Sequence, residues 1–436
     1  MQSRPATSAA PAISVATWPG CPSRLLGDRP GESRENHETY RALGGYRALA
    51  HPDELLDEVE RGGLQGRGGA AFPLAVKLRA VRDNGRRAGG CVVVANGEEG
   101  EPASIKDRWL LRHRPHLVLD GLRLAAAVVA ADRAYVYVSD AESARSVENA
   151  LTEHAFGNLT IELFEVEPGY IAGEETAVTR AINGGPVKPT DKPPRPFQQG
   201  VGGLPTLVSN VETLANLPFL QRHGSAAFRS LGTPSSPGTL LVTLTGGGGP
   251  PGLYEVPHGL PFRELLALHG ISSETVQGAL LGGYFAGLLG RAVLEAALDH
   301  EALRGLGSGL GCGAIAVITD ECPTAVAASV LAYFDRENAG QCGSCFNGTA
   351  AMAAVAGALR DGVATQEDLD RLRRWSVVLR RRGACATLDA ATNVAATLLD
   401  QFPEAVACHL ANACETCTSH VFRARRPYEA EAQVYA

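Results

Sequence analysis

CVVVANGEEGEP, Cys91 to Pro102, is the stretch on which the fold turns. Its first six residues form a short apolar run rich in valine, the signature of a buried strand. The run stops at a loop of glycine and acids, where a layered domain tends to carry function. Working outward, HLVLDGLRLAAAVVAA (116–131) has a helical pattern and AYVYVSD (134–140) reads as a second strand. LTIELFEVE (159–167) is a third, and GYIAGEETAVTRAI (169–182) runs from a loop into a helix. Strands alternating with helices predict a layered α/β domain over residues 38–235. Within it, GGPVKPTDKPPRPFQQGVGGLPT (184–206) is too long for a plain connector, and such segments line sites.

The turn-rich LGTPSSPG (231–238) marks a boundary. TLLVTLTG, GGGGPPGLYEVP, a short helix at FRELLALHG and the strand GAIAVIT then predict a small β-grasp-like (SLBB-type) module over 236–322. From there the chain is alanine-rich and helical, and residues 323–425 are expected to form a helical bundle carrying cysteines. Residues 1–37 and 426–436 are expected to be tails.

The 436 residues, 45% hydrophobic and 20% charged, fit an ordinary globular chain of two or three domains. A net charge of −7 argues against nucleic acid or anionic membrane as a partner. No apolar run reaches bilayer length, and the N-terminus makes a poor signal peptide, so a cytoplasmic location is expected. Six of the ten cysteines (Cys342, Cys345, Cys385, Cys408, Cys414, Cys417) crowd the last quarter, which points to metal ligation rather than disulfides. Cys21, Cys91, Cys312 and Cys322 are scattered and read as small core or surface residues. Of 40 basic residues only Lys77, Lys106, Lys188 and Lys192 are lysines, all close to the glycine-rich and acidic motifs.

GGLQGRGGAAF (62–72) lets backbone amides approach a ligand, and the AVKLRAV that follows opens a helix whose N-terminus favours phosphate. In the acidic loop, Glu98, Glu99 and Glu101 repel one another unless solvent, a lysine or a polar ligand offsets them. They read either as a solvated turn or as carboxylates addressing a flavin or a nicotinamide ribose. Glu174-Glu175 and SNVET (209–213) add acids, amides and hydroxyls.

In order, GLQGRGGAAFPLAVK, NGEEGEPASIKDR, PHLVLDGLRLAA, GYIAGEETA, KPPRPF, GLPTLVSNVETLANLP and the late CxxC resemble one family. It is the FMN- and NADH-binding iron–sulfur subunit of respiratory complex I (the F-type subunit of NADH-quinone oxidoreductase), shared with NAD-reducing hydrogenases and formate dehydrogenases. The resemblance covers residues 40–400. It implies a flavin-dependent NAD(H) oxidoreductase that passes electrons between NADH and a one-electron carrier, a ferredoxin or a thioredoxin-like 2Fe–2S subunit, inside a hetero-oligomer. Carried over by position, FMN would be held by Gly66, Arg67, Gly68, Lys77, Asn96, Glu98, Tyr170, Gly173, Glu174, Asn210 and Thr213. NADH would touch Phe72, Glu99, Glu101, Glu175 and Lys192, with Glu99 and Glu101 nearest the chemistry.

The chain departs from that pattern at three places. Ala80 and Arg195 stand where the resemblance puts two aromatics that sandwich adenine. Ala339 stands at the first cluster ligand in ENAGQCGSCFNG (337–348), leaving Cys342, Cys345 and Cys385. The fourth position is then filled by Cys408, Cys414 or Cys417, or the three hold a 3Fe–4S cluster or a 4Fe–4S cluster with an oxygen ligand. Otherwise the CxxC pairs 342/345 and 414/417 share a zinc, or the cluster is lost. A non-catalytic docking subunit is the competing expectation. RLRRWSVVLRRR (371–382) reads as a solvated helix face or as a docking patch for an acidic carrier.

Overall fold

The computed structural model describes residues 13–28 and 33–431. The strands are β1 (Ser14–Thr17), β2 (Val92–Asn96), β3 (Arg133–Val138), β4 (Thr160–Glu165), β5 (Thr206–Asn210), β6 (Thr239–Gly246), β7 (Gly252–Pro257), β8 (Gly278–Leu281), β9 (Leu288–Gly290) and β10 (Ala314–Ile318). Four of them form a wholly parallel sheet in the order β4-β3-β2-β5. β2 explains its own composition. Val93 and Ala95 face one core, with the helix Pro115–Val129, while Val92 and Val94 face the other, with Val178 and Val208. A strand covered on both faces has no reason to alternate with polar residues.

The helix Pro115–Val129 is buried along nearly its whole length. Gly121 lets it press against the short helix Val211–Ala215, because a Cβ there would lie 2.1 Å from the Leu214 carbonyl oxygen. That contact seats the end of β5, and with it Asn210, beside the end of β2.

The other six strands form a mixed sheet, β1-β7-β6-β10-β8-β9, with its own core around Val242, Phe262, Leu265 and Ile315. β1 lies in the stretch expected to be a tail. It pairs in parallel with β7 from Ser14↔Gly252 to Thr17↔Glu255, and Leu25 and Leu26 are buried in the first core. The cause is Glu255, a buried carboxylate that accepts from the backbone N–H groups of Arg24, Leu25 and Leu26 and from Thr239 Oγ1 at 2.8–3.1 Å. The rest of the two expected tails, residues 1–12, 29–32 and 432–436, lies outside the described residues.

The C-terminal part is helical. Pro323–Glu337 is its central helix, buried almost all round, and Gly343–Arg360, Gln366–Val378 and Thr387–Gln401 pack with it. The chain then returns to the first unit, contrary to the expected C-terminal tail. Ala430 N–H donates to Pro102 O at 2.9 Å, and Glu431 pairs with Arg112 at 2.8 Å. Among the described residues no helix is long and apolar enough to cross a membrane.

Candidate functional site

β2 and β5 are neighbours whose chain connections leave in opposite directions, and Asn96 sits opposite Asn210 at their carboxyl ends. Open parallel sheets bind ligands at such a switch point. Here it opens into a cleft of about 450 Å³, within the range of cofactor pockets. The glycine-rich loop forms one wall, closed by a hydrogen bond from Gly66 N–H to Phe72 O at 2.9 Å. A Cβ on Gly68 would come within 3.2 Å of Asn210 Cβ. From this loop the fifteen-residue helix Leu74–Ala88 sets out. Lys77 Nζ, in its first turn, faces the cleft and donates to Val208 O at 2.6 Å.

Across the cleft stands the loop after β2. Asn96 donates to Gly173 O at 2.8 Å. Glu98 is buried, and burial pushes its carboxyl up to about 8. One of its oxygens accepts a long hydrogen bond from Gly169 N–H at 3.4 Å, while Oε2 has no partner among the described residues. A side chain at Gly173 would meet that atom at 2.7 Å. An orphaned carboxylate oxygen, a lysine and glycines that admit no Cβ form a polar cradle built for a hydroxyl-rich, phosphate-bearing ligand such as FMN.

The acids of this loop have separate tasks. Glu99 accepts from Ser104 Oγ at 2.5 Å and from the Asp107 and Arg108 backbone N–H groups at 3.2 and 3.0 Å, and it pairs with the Arg108 guanidinium at 3.3 Å. It caps the helix Lys106–His113, so both oxygens that the resemblance offers to NADH are already engaged. Glu101 is also pushed up to about 8 by burial, and accepts from Tyr284 N–H at 3.0 Å, joining the loop to the second sheet unit. On the far side Glu174 caps the helix Glu175–Ile182 and pairs with Lys192. Glu175 lies 3.5 Å from both Lys77 and Arg195.

One expected cleft group points elsewhere. The Arg67 guanidinium is buried against His258, Thr239 O at 3.0 Å and Glu212, and only its backbone N–H turns back, to Thr213 Oγ1 at 2.8 Å. Phe72, by contrast, stands half exposed at the cleft mouth, while Phe197, two residues after Arg195, packs against the first core and offers no face there.

The cleft's remaining wall comes from the helical unit. Cys385 and Thr387 line it directly, 3.3 Å apart, as does Tyr170, which stacks edge-on against Tyr333 and Phe334. Cys342 precedes the helix Gly343–Arg360, Cys345 lies in its first turn, and Ala384 N–H points at Cys342 Sγ at 3.4 Å. Burial, then the nearness of Cys385 and Cys342, pushes the Cys345 thiol up to about 12. Three soft donors are therefore neighbours, and Cys385 among them lines the cleft. Ala339 adds none, and its loop is tied down by Gly340 N–H to Asn338 Oδ1 at 2.9 Å and Gln341 Nε2 to Pro189 O at 2.8 Å. The tail cysteines lie elsewhere: Cys408 is exposed, and Cys414 and Cys417 meet Cys322 and His409.

Sequence reasoning missed Phe285, Cys312 and Thr387, all on the cleft wall, since no spacing links them to the motifs. It also missed the buried network beneath Asn210. Lys106 Nζ lies 2.7 Å from Asp107, 2.9 Å from Glu212 and 3.3 Å from Asn210 Oδ1, and Asn210 Nδ2 donates to Asp107 at 2.7 Å. The rarity of lysine was the available signal. This network fixes Asn210 through its whole amide.

Comparison with known proteins places two regions. The Nuo51 FMN-binding domain matches residues 59–219, and the NADH-ubiquinone oxidoreductase-F iron-sulfur binding region matches 325–409. The NADH-quinone oxidoreductase F 2 subunit of Rhizobium meliloti (strain 1021) is 33% identical over 85% of this chain and 94% of its own length. The NADP-reducing hydrogenase subunit HndC of Solidesulfovibrio fructosivorans is 31% identical over 90% of this chain and 84% of its own. A solved structure, NAD+-reducing [NiFe]-hydrogenase in the H2-reduced state, superposes with a TM-score of 0.75 at 31% identity. The match covers 83% of this chain and 63% of that one.

Proposed function

The chain belongs to the family of NADH-quinone oxidoreductase F subunits, NAD(H) oxidoreductase components with FMN and a 4Fe–4S region, and we propose how its own residues serve that activity. The observation that carries the reading is the shared wall: Cys385 and Thr387 line the same cleft as the glycine loop, Glu98 and Asn210. A flavin converts hydride chemistry into single-electron steps, and an iron–sulfur centre conducts those electrons away. Gly66, Gly68, Lys77, Asn96, Glu98, Tyr170, Gly173, Glu174, Asn210 and Thr213 hold FMN, with Arg67 seating Thr213 through its backbone N–H. Phe72, Glu101, Glu175 and Lys192 receive NADH, and Phe285, 42% exposed on the cleft wall, offers an aromatic face where Ala80 and Arg195 offer none. Glu99 acts by holding the acidic loop in shape. Cys342, Cys345 and Cys385 ligate the cluster.

The two sheets and the helical bundle support division into an FMN/NAD unit (38–235), a β-grasp-like SLBB-type module (236–322) and a helical iron–sulfur domain (323–425). The relatives' names support membership of a hetero-oligomer. An acidic one-electron carrier, a ferredoxin or a thioredoxin-like 2Fe–2S subunit, would dock where exposed Arg374, Arg381 and Arg382 flank exposed Phe346 and Val377 near the cluster thiols. Ten free thiols suit a reducing, cytoplasmic setting.

The test is anaerobic. The FMN-loaded chain is mixed with NADH, then NADPH, and the flavin absorbance is followed before ferredoxin is added. Bleaching by NADH followed by ferredoxin reduction is expected. Bound flavin that neither nucleotide bleaches would overturn the cleft assignment, and bleaching without transfer to ferredoxin would overturn the partner alone.

A further inference from the structure

Cys322, His409, Cys414 and Cys417 come from three places in the chain and converge on one point. Cys322 precedes the helix Pro323–Glu337, and His409 is the penultimate residue of the helix Pro403–Leu410. Cys414 precedes the helix Glu415–Ser419, and Cys417 lies within it. Their four donor atoms all lie within 4.8 Å of one another. Cys414 Sγ is 3.8 Å from Cys322 Sγ. His409 Nε2 is 3.1 Å from Cys322 Sγ and 3.6 Å from Cys417 Sγ. A tetrahedral zinc, with bonds of about 2.3 Å to sulfur and 2.0 Å to nitrogen, sets its ligand atoms about 3.5–3.8 Å apart. The Cys322–Cys414 and His409–Cys417 edges match those values, the Cys322–His409 edge is shorter, and the remaining three lie within 4.8 Å. The sulfurs are too far apart for a disulfide, and all are free thiols.

We propose that Cys322, His409, Cys414 and Cys417 bind a structural zinc ion at a site separate from the iron–sulfur thiols Cys342, Cys345 and Cys385. Four protein donors close the coordination sphere, which is the structural rather than the catalytic form. The surroundings suit it. Cys322 and His409 are 4% and 2% exposed. Nε2 is the ring nitrogen of His409 that faces the sulfurs of Cys322 and Cys417. Cys322, Cys414 and Cys417 all fall outside the two matched family regions, 59–219 and 325–409.

The ion would staple the C-terminal segment to the start of the central helix. Beyond the staple the chain clasps the mixed-sheet unit through Tyr284 Oη to Pro427 O, and the first unit through Ala430 to Pro102 and Glu431 to Arg112. Pro102 closes the acidic loop of the flavin cleft. The zinc therefore anchors a strap behind that loop.

The experiment is metal analysis of the full chain, expressed with iron and zinc and purified anaerobically. About one zinc per chain is expected beside the cluster iron, with zinc-edge absorption showing three sulfurs at about 2.3 Å and one nitrogen. Cys417→Ser and His409→Ala should lose the zinc and keep the iron. Cys408→Ser, an exposed thiol in the same segment, should keep both metals. Should the first two variants fail to fold, Cys417→His keeps the question open to measurement, since it should retain zinc with one sulfur fewer. Wild-type protein without zinc, or iron bound in its place, overturns the proposal. So does loss of iron with zinc unchanged in Cys417→Ser, which would make that cysteine a cluster ligand.

Discussion

Glu98 is a buried carboxyl with one oxygen unpartnered, and its charged form is disfavoured by burial up to about pH 8. The unfolded chain ionises the same group near 4.5. Between these values the folded protein holds a proton that the unfolded chain has released, so stability is full below 4.5 and declines as pH rises through 8. The slope is about 1.4 kcal/mol per unit of separation. Glu98→Gln removes the titrating group, so the FMN-free variant should show a flatter decline than wild type in urea unfolding between pH 5 and 8. Equal slopes would mean that Glu98 ionises freely in the cleft. Gly173→Ala should disturb the same carboxyl by steric contact, because the added methyl would stand 2.7 Å from Oε2, and FMN affinity measured by fluorescence quenching should fall. Unchanged affinity would take Glu98 out of the cradle. That something must offset ANGEEGEP was legible in the sequence. The division of labour among its acids was not, because Ser104 and Arg108, which occupy Glu99, reach it only once the following helix has formed.

At the scale of elements, the sequence exposes those whose own residues carry the pattern. β2, β3, β4, β6, β7 and β10 were readable because buried strands need apolar runs. β1 and β5 were not. SVAT and TLVSN are four and five residues long, sit beside proline- and glycine-rich segments, and owe their strand geometry to partners. For β1 the partner is far away in sequence: Glu255 gathers three successive backbone N–H groups from residues 24–26. Glu255→Ala would strand those donors in a buried site, at about 1–3 kcal/mol for each one left unsatisfied. Hydrogen exchange should then show residues 13–28 losing protection while β2 and β3 keep theirs. Protection preserved across 13–28 would place the anchor of this segment in Leu25 and Leu26 rather than in the carboxylate.

For the whole molecule, a parallel sheet, a mixed sheet and a set of helices meet around one cleft, and each supplies what the others lack. The parallel sheet supplies the cradle, the mixed sheet supplies Phe285 and the seat for Glu101, and the helices supply Cys385 and, in Tyr333 and Phe334, the backing of Tyr170. Collinear motifs made this order legible, but the missing thiol at Ala339 left the cluster's state open, since ligand number depends on what the fold brings near. The C-terminal segment brings no fourth cysteine to Cys342, Cys345 and Cys385, because Cys414 and Cys417 are engaged with Cys322 and His409. Cys345 is the most buried of the three thiols, so solvent cannot stand in for it. In Cys345→Ser, iron should fall while FMN stays bound and NADH still bleaches it, and reduction of a one-electron protein acceptor should drop by an order of magnitude or more. Ala339→Cys should act oppositely, raising iron per chain and replacing any 3Fe–4S resonance with that of a reduced 4Fe–4S centre. If Cys345→Ser passes electrons to the protein acceptor as fast as wild type, the exit runs directly from the flavin through the open cleft mouth, and the three thiols are a structural remnant.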